Sequence, residues 1–525
     1  MTSPAASGVR LAELVAALSL ATDLGLGQPQ EHLLRAAIVA DRLGVAAELS
    51  DDERAAVYYV TLLGWVGCVA DSHEMARWFA DDTSIRAASF MVDRAGMSMM
   101  RFLIANVAPD ASGLQRLAVR SRFMTGGFRD AMDSFTAHCQ TTAQIADRLG
   151  LAEAVRLALP QSLERWDGKG GPAGLRGAQI ERTMRVAVIA QEVEVIARLH
   201  GTAAAVEMLE ERKGTQFDPE LAALCAAQAD RLLELDRADA WEAVIAGCAP
   251  LDRRMDEAEL DAALETFADY ADLKSPWFAG HSRAVAGLAA EAARRLGLPP
   301  ADAQLVRRAG LVCRIGAIGV AAGVWDRAGP LTAIEWERVR TVPYLTERVL
   351  SRQPALARAG AVAGMLHERI DGSGYPRGVS GGAVPVTARV LAAAEVYQAA
   401  REPRPHRGAR SRAETRRLLL DEAAGGRLDA SAVDAVLAAA GHPSGRRAAH
   451  TGGLSAREIE VLRLLVRGLS NKQIAREMTV SVSTVGSHIE HIYTKIGANT
   501  RGSAAMYAMQ HGLIDASLED GPKPG

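Results

Sequence analysis

The residues best spaced to do chemistry lie near the C-terminus of this 525-residue chain. Thr484, His488, His491 and Lys495 recur at i, i+4, i+7 and i+11, which on a helix makes one polar stripe. Val485, Ile489, Ile492 and Ile496 repeat that spacing one position later and make an apolar stripe beside it. A helix with hydroxyls at its start and imidazole and ammonium groups along one face can donate to base edges and phosphate oxygens in a major groove. Between Leu454 and Leu513, seven Arg or Lys stand against four Glu, a local excess that suits a phosphate backbone. The whole chain carries a net charge of -3, so contact with nucleic acid must be local and not a basic coat.

The elements around that stripe are legible. Ser455-Ala-Arg-Glu458 and Ser470-Asn-Lys-Gln473 each place a hydroxyl three residues before Glu or Gln, the reciprocal capping pattern of a helix start. The first helix buries Ile459, Leu462, Leu465 and Val466 and ends at Gly468. The second is short, with Ile474 and Met478 inward, and the third runs from near Ser481 or Ser483 to Ile496, stopped by Gly497. The words LSAREIEVLRLLVRGLSNKQIAREM and SVSTVGSHIEHIYTKIGANTR closely resemble the LuxR-type helix-turn-helix. That resemblance implies double-stranded DNA as partner, with Lys472 and Ser483 on phosphates, Thr484, Val485 and His488 facing base edges, and Lys495 again on the backbone. It also implies a fourth helix, Arg501 to His511, that mediates dimerisation, and so a homodimer on a two-fold site.

Upstream, alanine and leucine dominate while aromatics are only 5%, which predicts an all-α chain. Glu31 to Leu43 and Ala284 to Leu296 have helical spacing and are each followed by a glycine placed to end a helix. Residues 163–191 and 367–395 match without a gap: Asp167 and Asp371, Pro172 and Pro376, Arg185 and Arg389 are all 204 apart. His32 and His281 are equivalent candidates in an upstream element, at an offset of 249, so the first copy carries about 45 extra residues. Within that insert, HCQTTAQIADRLGL from His138 echoes HLLRAAIVADRLGV from His32. The five cysteines form no C-x-x-C pair, and no uncharged run reaches the ~20 residues of a bilayer span, so the reading is a soluble, cytoplasmic protein with no membrane contact.

HERIDGSGYPRG, followed by ARVLAAAEVYQAA and RPHR, resembles the HD-GYP subgroup of HD-domain phosphohydrolases from about Trp277 to His406. In that family several His and Asp hold two or three metal ions that activate water against a phosphodiester such as cyclic di-GMP. Carried over position by position, the first-helix histidine is His281, but Cys313-Arg314 stands where the His-Asp pair belongs. Ala317 replaces the following lysine, Val342 a histidine, and Leu366 the first member of a His-His pair, leaving His367, while Glu395 stands where Asp is usual. The vestigial positions His281, His367 and Glu395 are too few for a dinuclear site, and Arg314 adds a fixed positive charge that repels a divalent cation. Arg314 either pairs with Glu395 or forks onto a ligand phosphate, with Tyr375 of the intact Gly374-Tyr375-Pro376 triplet as a second ligand contact. The first copy keeps His32 but has Gly64-Trp65, Leu163, Gly170-Gly171-Pro172 and Gln191 at the corresponding places. His73-Glu74 and His138 are lone candidates for a ligand site.

These readings divide the chain into two tandem degenerate HD-type helical domains, 1–250 and 251–441, a linker 442–452, a four-helix LuxR-type helix-turn-helix 453–517 and a tail 518–525. The expectation is a DNA-binding transcriptional regulator, without cofactor or catalytic residues, whose HD-type body senses a nucleotide or protein effector. Its alternatives are a metal-dependent phosphohydrolase recruited to DNA and a protein-interaction scaffold.

Overall fold

In the computed structural model, residues 8–109, 111–235, 239–246, 253–442, 454–466, 468–496, 498, 500–501, 504 and 507–508 are described. The chain is all-α, as composition and spacing predict. Among the described residues the paired strands are limited to Val9–Arg10 and Arg254–Met255, antiparallel with Val9 opposite Met255. Two compact units are present, Met1–Gly441 and His442–Gly525. Among the described residues, no single helix is long and apolar enough to cross a membrane.

Both repeats start their histidine-bearing helix in the same way. Glu31 and Gly280, immediately before the histidines, adopt left-handed backbone with φ of 74° and 75°. In the first repeat Leu33 N donates to Asp23 Oδ1 at 3.1 Å, and in the second Ser282 N donates to Asp272 Oδ2 at 2.8 Å. Each carboxylate thus satisfies an orphan N–H of the first turn, and the helices run His32–Ala46 and His281–Arg295. Gly297 follows the second helix at φ +77°, as expected of a terminating glycine. Gly44 does not end the first helix, which continues to Ala46. There the missing side chain faces Arg54 and Leu49, so packing has taken the glycine for another use.

Downstream, Glu164 accepts hydrogen bonds from the N–H groups of Ala173, Gly174 and Leu175 at 2.7, 3.1 and 2.9 Å. Its counterpart Glu368 accepts from Arg377 and Val379 at 2.8 and 3.1 Å. One buried carboxylate therefore pins the same glycine-rich loop in both copies and presents it to the helix behind, Arg182–His200 or Val386–Arg401.

The two repeats share one apolar core, in which Leu14 and Leu18 of helix Leu11–Gly25 join Val312 and Ile318 of the second repeat. Gly25 and Gly319 permit this approach. A Cβ on Gly25 would stand 2.8 Å from Ile318 Cγ2, and one on Gly319 3.2 Å from Leu24 Cβ. The longer first copy adds helices Asp82–Ser89, Gly96–Asn106 and Gly113–Arg122, with a small core of Phe79, Ile85, Leu103, Val107 and Phe123.

In the second unit, helices Ala456–Val466, Asn471–Glu477 and Val482–Ile496 enclose Leu462, Leu465, Ile474, Met478, Val485 and Ile492. Both expected capping boxes form: Glu458 N donates to Ser455 Oγ at 3.2 Å, and Gln473 N to Ser470 Oγ at 3.4 Å. The glutamate and glutamine side chains accept in return from the serine N–H groups at 2.6 and 2.8 Å. Gly497, the expected linker beyond His442, most of the expected fourth helix and the tail lie outside the described residues.

Candidate functional site

In the second repeat, the start of helix His281–Arg295 points the buried His281 inward, where its Nδ1–H donates to Glu402 Oε2 at 2.7 Å. Burial opposes charge on Glu402. His281, Gln398 and Arg404 outweigh it and hold the carboxyl down at about 2. His281 Nε2 is buried and makes no hydrogen bond. A histidine whose other nitrogen is fixed by a carboxylate is oriented as a metal-ligating one is.

The neighbours of His281 have a different chemistry. Arg314 lies flat on Phe278, its guanidinium carbon 3.4 Å from the ring centroid, with Trp325 at 5.2 Å. Its Nε and Nη2 are buried without hydrogen bonds, and the nearest ion-pair oxygen, Asp272 Oδ1, is 3.9 Å away, beyond hydrogen-bond reach. Arg314 therefore holds a desolvated, under-used cation close to Glu395 and His367 without a salt bridge to Glu395. His367 stacks on Tyr375 with centroids 4.9 Å apart, and burial keeps it neutral down to about 4. Arg340 approaches the outer face of Tyr375, and Arg404 flanks Phe278.

The metal cluster implied by the HD-GYP resemblance does not fit these side chains. Among the described residues no three His, Cys, Asp or Glu converge as a metal site. Burial pushes the Cys313 thiol up to about 12, and the Arg314 cation sits beside it. The arrangement can receive an anion: the buried Nε and Nη2 of Arg314 are donors without an acceptor.

The first repeat repeats the histidine clamp, His32 Nδ1–H donating to Glu194 Oε2 at 2.5 Å, with His32 Nε2 buried and unbonded. His138, the echo in the insert, is no free ligand. Its Nε2–H donates to the Gly64 carbonyl at 3.0 Å, and burial lowers its pKa to about 4. His73 Nδ1 is 2.6 Å from Asp326 Oδ2, a tie between the repeats, and Glu74 lines the cleft beside it. Around Trp65 and His138, the latter a candidate for a ligand site from the sequence, opens a cavity of about 230 Å³. Unforeseen were Glu402, Phe278 and Trp325, none of which belongs to the repeat's matched positions.

In the C-terminal unit, Lys472, Ser483, Thr484 and His491 are exposed and His488 is half-buried, so all five share the solvent side. Ser481 caps the third helix by accepting from Thr484 N at 3.1 Å, and its Oγ lies 2.7 Å from the hydroxyls of Ser483 and Thr484. Lys495 Nζ donates to Glu458 at 2.8 and 2.9 Å, so part of its charge is already spent. Val485 corrects the expectation: it is 0% exposed in the core of the unit and cannot face a base edge, because its place in the apolar stripe decides its direction.

An all-α body with an internal repeat, followed by a helix-turn-helix, sets the class of the chain. Residues 265–432 match the HD domain model, and residues 453–508 match that of bacterial regulatory proteins, luxR family. The chain is 30% identical over 404 residues to 3'3'-cGAMP-specific phosphodiesterase 3 of Vibrio cholerae, covering 76% of this chain and 88% of that one. A crystal structure of a cyclic GMP-AMP specific phosphodiesterase of V. cholerae superposes with a TM-score of 0.58 at 25% identity, over 83% of this chain and 98% of that one. The oxygen regulatory protein NreC of Staphylococcus aureus is 42% identical over 62 residues, 12% of this chain and 29% of NreC. The chain belongs to the HD-domain family of the cyclic-dinucleotide phosphodiesterases and carries a LuxR-family domain at its C-terminal end. This corrects the expectation of a chain that is no enzyme: counting metal-ligand positions in the two repeats gave that reading, whereas kinship over most of the chain points to the phosphohydrolases.

Proposed function

We propose that this chain is a transcriptional regulator in which the tandem HD body takes a cyclic dinucleotide, the substrate class of its phosphodiesterase relatives, and thereby changes how the C-terminal unit engages double-stranded DNA. The observation that carries the reading is one chain containing both the long phosphodiesterase match and the luxR-family match. The buried, unbonded Nε and Nη2 of Arg314 support an anionic ligand in the second repeat, since a phosphodiester oxygen would satisfy the guanidinium fork. Two copies acting together on a two-fold DNA site belong to the same proposal. Coupling requires only that the dinucleotide have unequal affinity for two arrangements of the protein.

The test uses the full chain. Genome-wide footprinting supplies its DNA site, and equilibrium dialysis measures 3'3'-cGAMP and cyclic di-GMP binding, with chromatography of the same samples for linear product. Saturable dinucleotide binding that weakens by roughly tenfold in Arg314→Met and shifts DNA affinity is the expected result. Absence of binding to either dinucleotide, or DNA affinity indifferent to a bound one, overturns the proposal.

A further inference from the structure

Gly171 and Tyr375 hold the same position in the two repeats, 204 residues apart, and this exchange opens a space in one copy that the other fills. In the second repeat the Tyr375 ring lies over His367. In the first, the corresponding pair is Gly171 and Leu163, and a Cβ built on Gly171 would meet nothing within 4 Å. Its neighbour Gly170 differs: a Cβ there would lie 2.5 Å from the Arg165 nitrogen, so that glycine serves the loop and Gly171 serves the opening. The cavity of about 230 Å³ lined by Gly170 and Gly171 reaches from Trp65 and His138 to the inserted helices.

The walls of this space are divided. Met75, Met99, Met100 and Phe102 come from helices Ser72–Phe79 and Gly96–Asn106 and give one side soft, adaptable apolar surface. Cationic groups line the space as well. Arg94 lies over Trp65 and Phe90 at 4.5 and 4.8 Å, and its buried Nε takes no hydrogen bond. Its Nη2 is 2.8 Å from Glu192 Oε1, but Glu192 also pairs with Arg212 at 3.1 Å, so two guanidinium groups share one carboxylate. Lys169, mostly exposed, stands among the lining residues with only Asp167 near it, at 3.8 Å. The lining carboxylates are committed elsewhere, Asp71 to Arg86 and Glu164 to three backbone N–H groups.

We infer that the first repeat binds a small amphipathic organic anion, with its carboxylate, sulfonate or phosphate head on Arg94 and Lys169 and its apolar body along the methionine wall. The site is separate from the His281–Arg314 region, and the inference stands whether or not a cyclic dinucleotide binds there. A cyclic dinucleotide is a poor match for this first-repeat cavity, because its polar base edges would face methionine and phenylalanine without partners.

The test is a fluorescence titration of the full chain with anilinonaphthalene sulfonate, which carries an anionic head on an apolar body. One saturable site is expected, weakened roughly tenfold in Arg94→Met and abolished in Gly171→Tyr, which restores the side chain of the second repeat. If Arg94→Met does not fold, Gly171→Tyr decides alone, since the position has room for a Cβ. Displacement by decanoate identifies an acyl carboxylate as the natural chemistry, whereas equally effective displacement by adenosine monophosphate would overturn the assignment of an apolar body. Binding unchanged in Gly171→Tyr, or displaced by 3'3'-cGAMP as effectively as by decanoate, overturns the inference.

Discussion

The Lys274 ammonium lies 2.7 Å from the Asp82 carboxylate, with both side chains at 0% exposure, and the pair joins the insert of the first repeat to the second repeat. Asp82 also accepts from Arg86 and, at 2.7 Å, from Ala322 N. Burial opposes its ionisation, yet Lys274 and Arg86 outweigh burial and hold its pKa at about 2. Removing one partner strands the other charge in a dry interior, a loss of ~3–5 kcal/mol. Lys274→Met and Asp82→Asn should each cost about that much in urea unfolding, and the double variant should cost clearly less than their sum. Additive losses would mean that the two groups act independently.

His138 sets a pH dependence of opposite sign to that of Asp71. Burial lowers the His138 pKa to about 4, against ~6.5 in an unfolded chain. Between those values the unfolded chain binds the extra proton, so this histidine lowers stability as pH falls, by about 3 kcal/mol when complete. Burial raises Asp71 to about 6, against ~3.9 unfolded, so its contribution favours the folded state as pH falls through 6 toward 4. In His138→Gln the loss of stability from pH 7 to pH 4 should shrink, as read from urea midpoints. An unchanged profile would show that His138 titrates alike in the folded and unfolded chain.

Gly374 has no room for a side chain. A Cβ there would stand 2.4 Å from the Arg369 nitrogen and 2.5 Å from the His367 oxygen, both backbone atoms. Gly374→Ala should therefore cost ~1–3 kcal/mol and separate His367 from Tyr375. Gly382→Ala, where a Cβ meets nothing within 4 Å, should stay within ~0.5 kcal/mol. Thermal unfolding of the two variants side by side provides the comparison.

What could be read from the residues was what is local or repeated. The offsets of 204 and 249 located Glu164 with Glu368 and His32 with His281, because each pair answers to the same loop or helix start. The Ser455 and Ser470 caps were legible for the same reason: their partners lie three residues away. Glu402 was not, since its hydrogen bond to His281 spans 121 residues and its position is outside the matched repeat. The clamp of Phe278 and Trp325 on Arg314 depends likewise on tertiary placement. At the cavity of the first repeat the sequence marks His138 and the Gly170-Gly171-Pro172 departure, but the space between them is made by a missing side chain and by inserted helices whose placement is tertiary.

The two stripes of the third helix in the C-terminal unit have distinct roles, and substitutions should separate them. Thr484 and His488 lie toward solvent near the helix start, so Thr484→Ala and His488→Ala should each weaken binding to the selected DNA site by ~1–3 kcal/mol and leave random DNA little changed. Lys472→Ala should weaken all duplexes alike and lower the salt slope by about one, the mark of a phosphate contact. Val485 is fully buried, so Val485→Ala should reduce stability by ~1–3 kcal/mol through lost packing, with specificity preserved in the fraction that remains folded. Fluorescence anisotropy on specific and random duplexes at several salt concentrations distinguishes these behaviours. Equal losses on both duplexes for Thr484→Ala and His488→Ala would place the base-reading residues elsewhere.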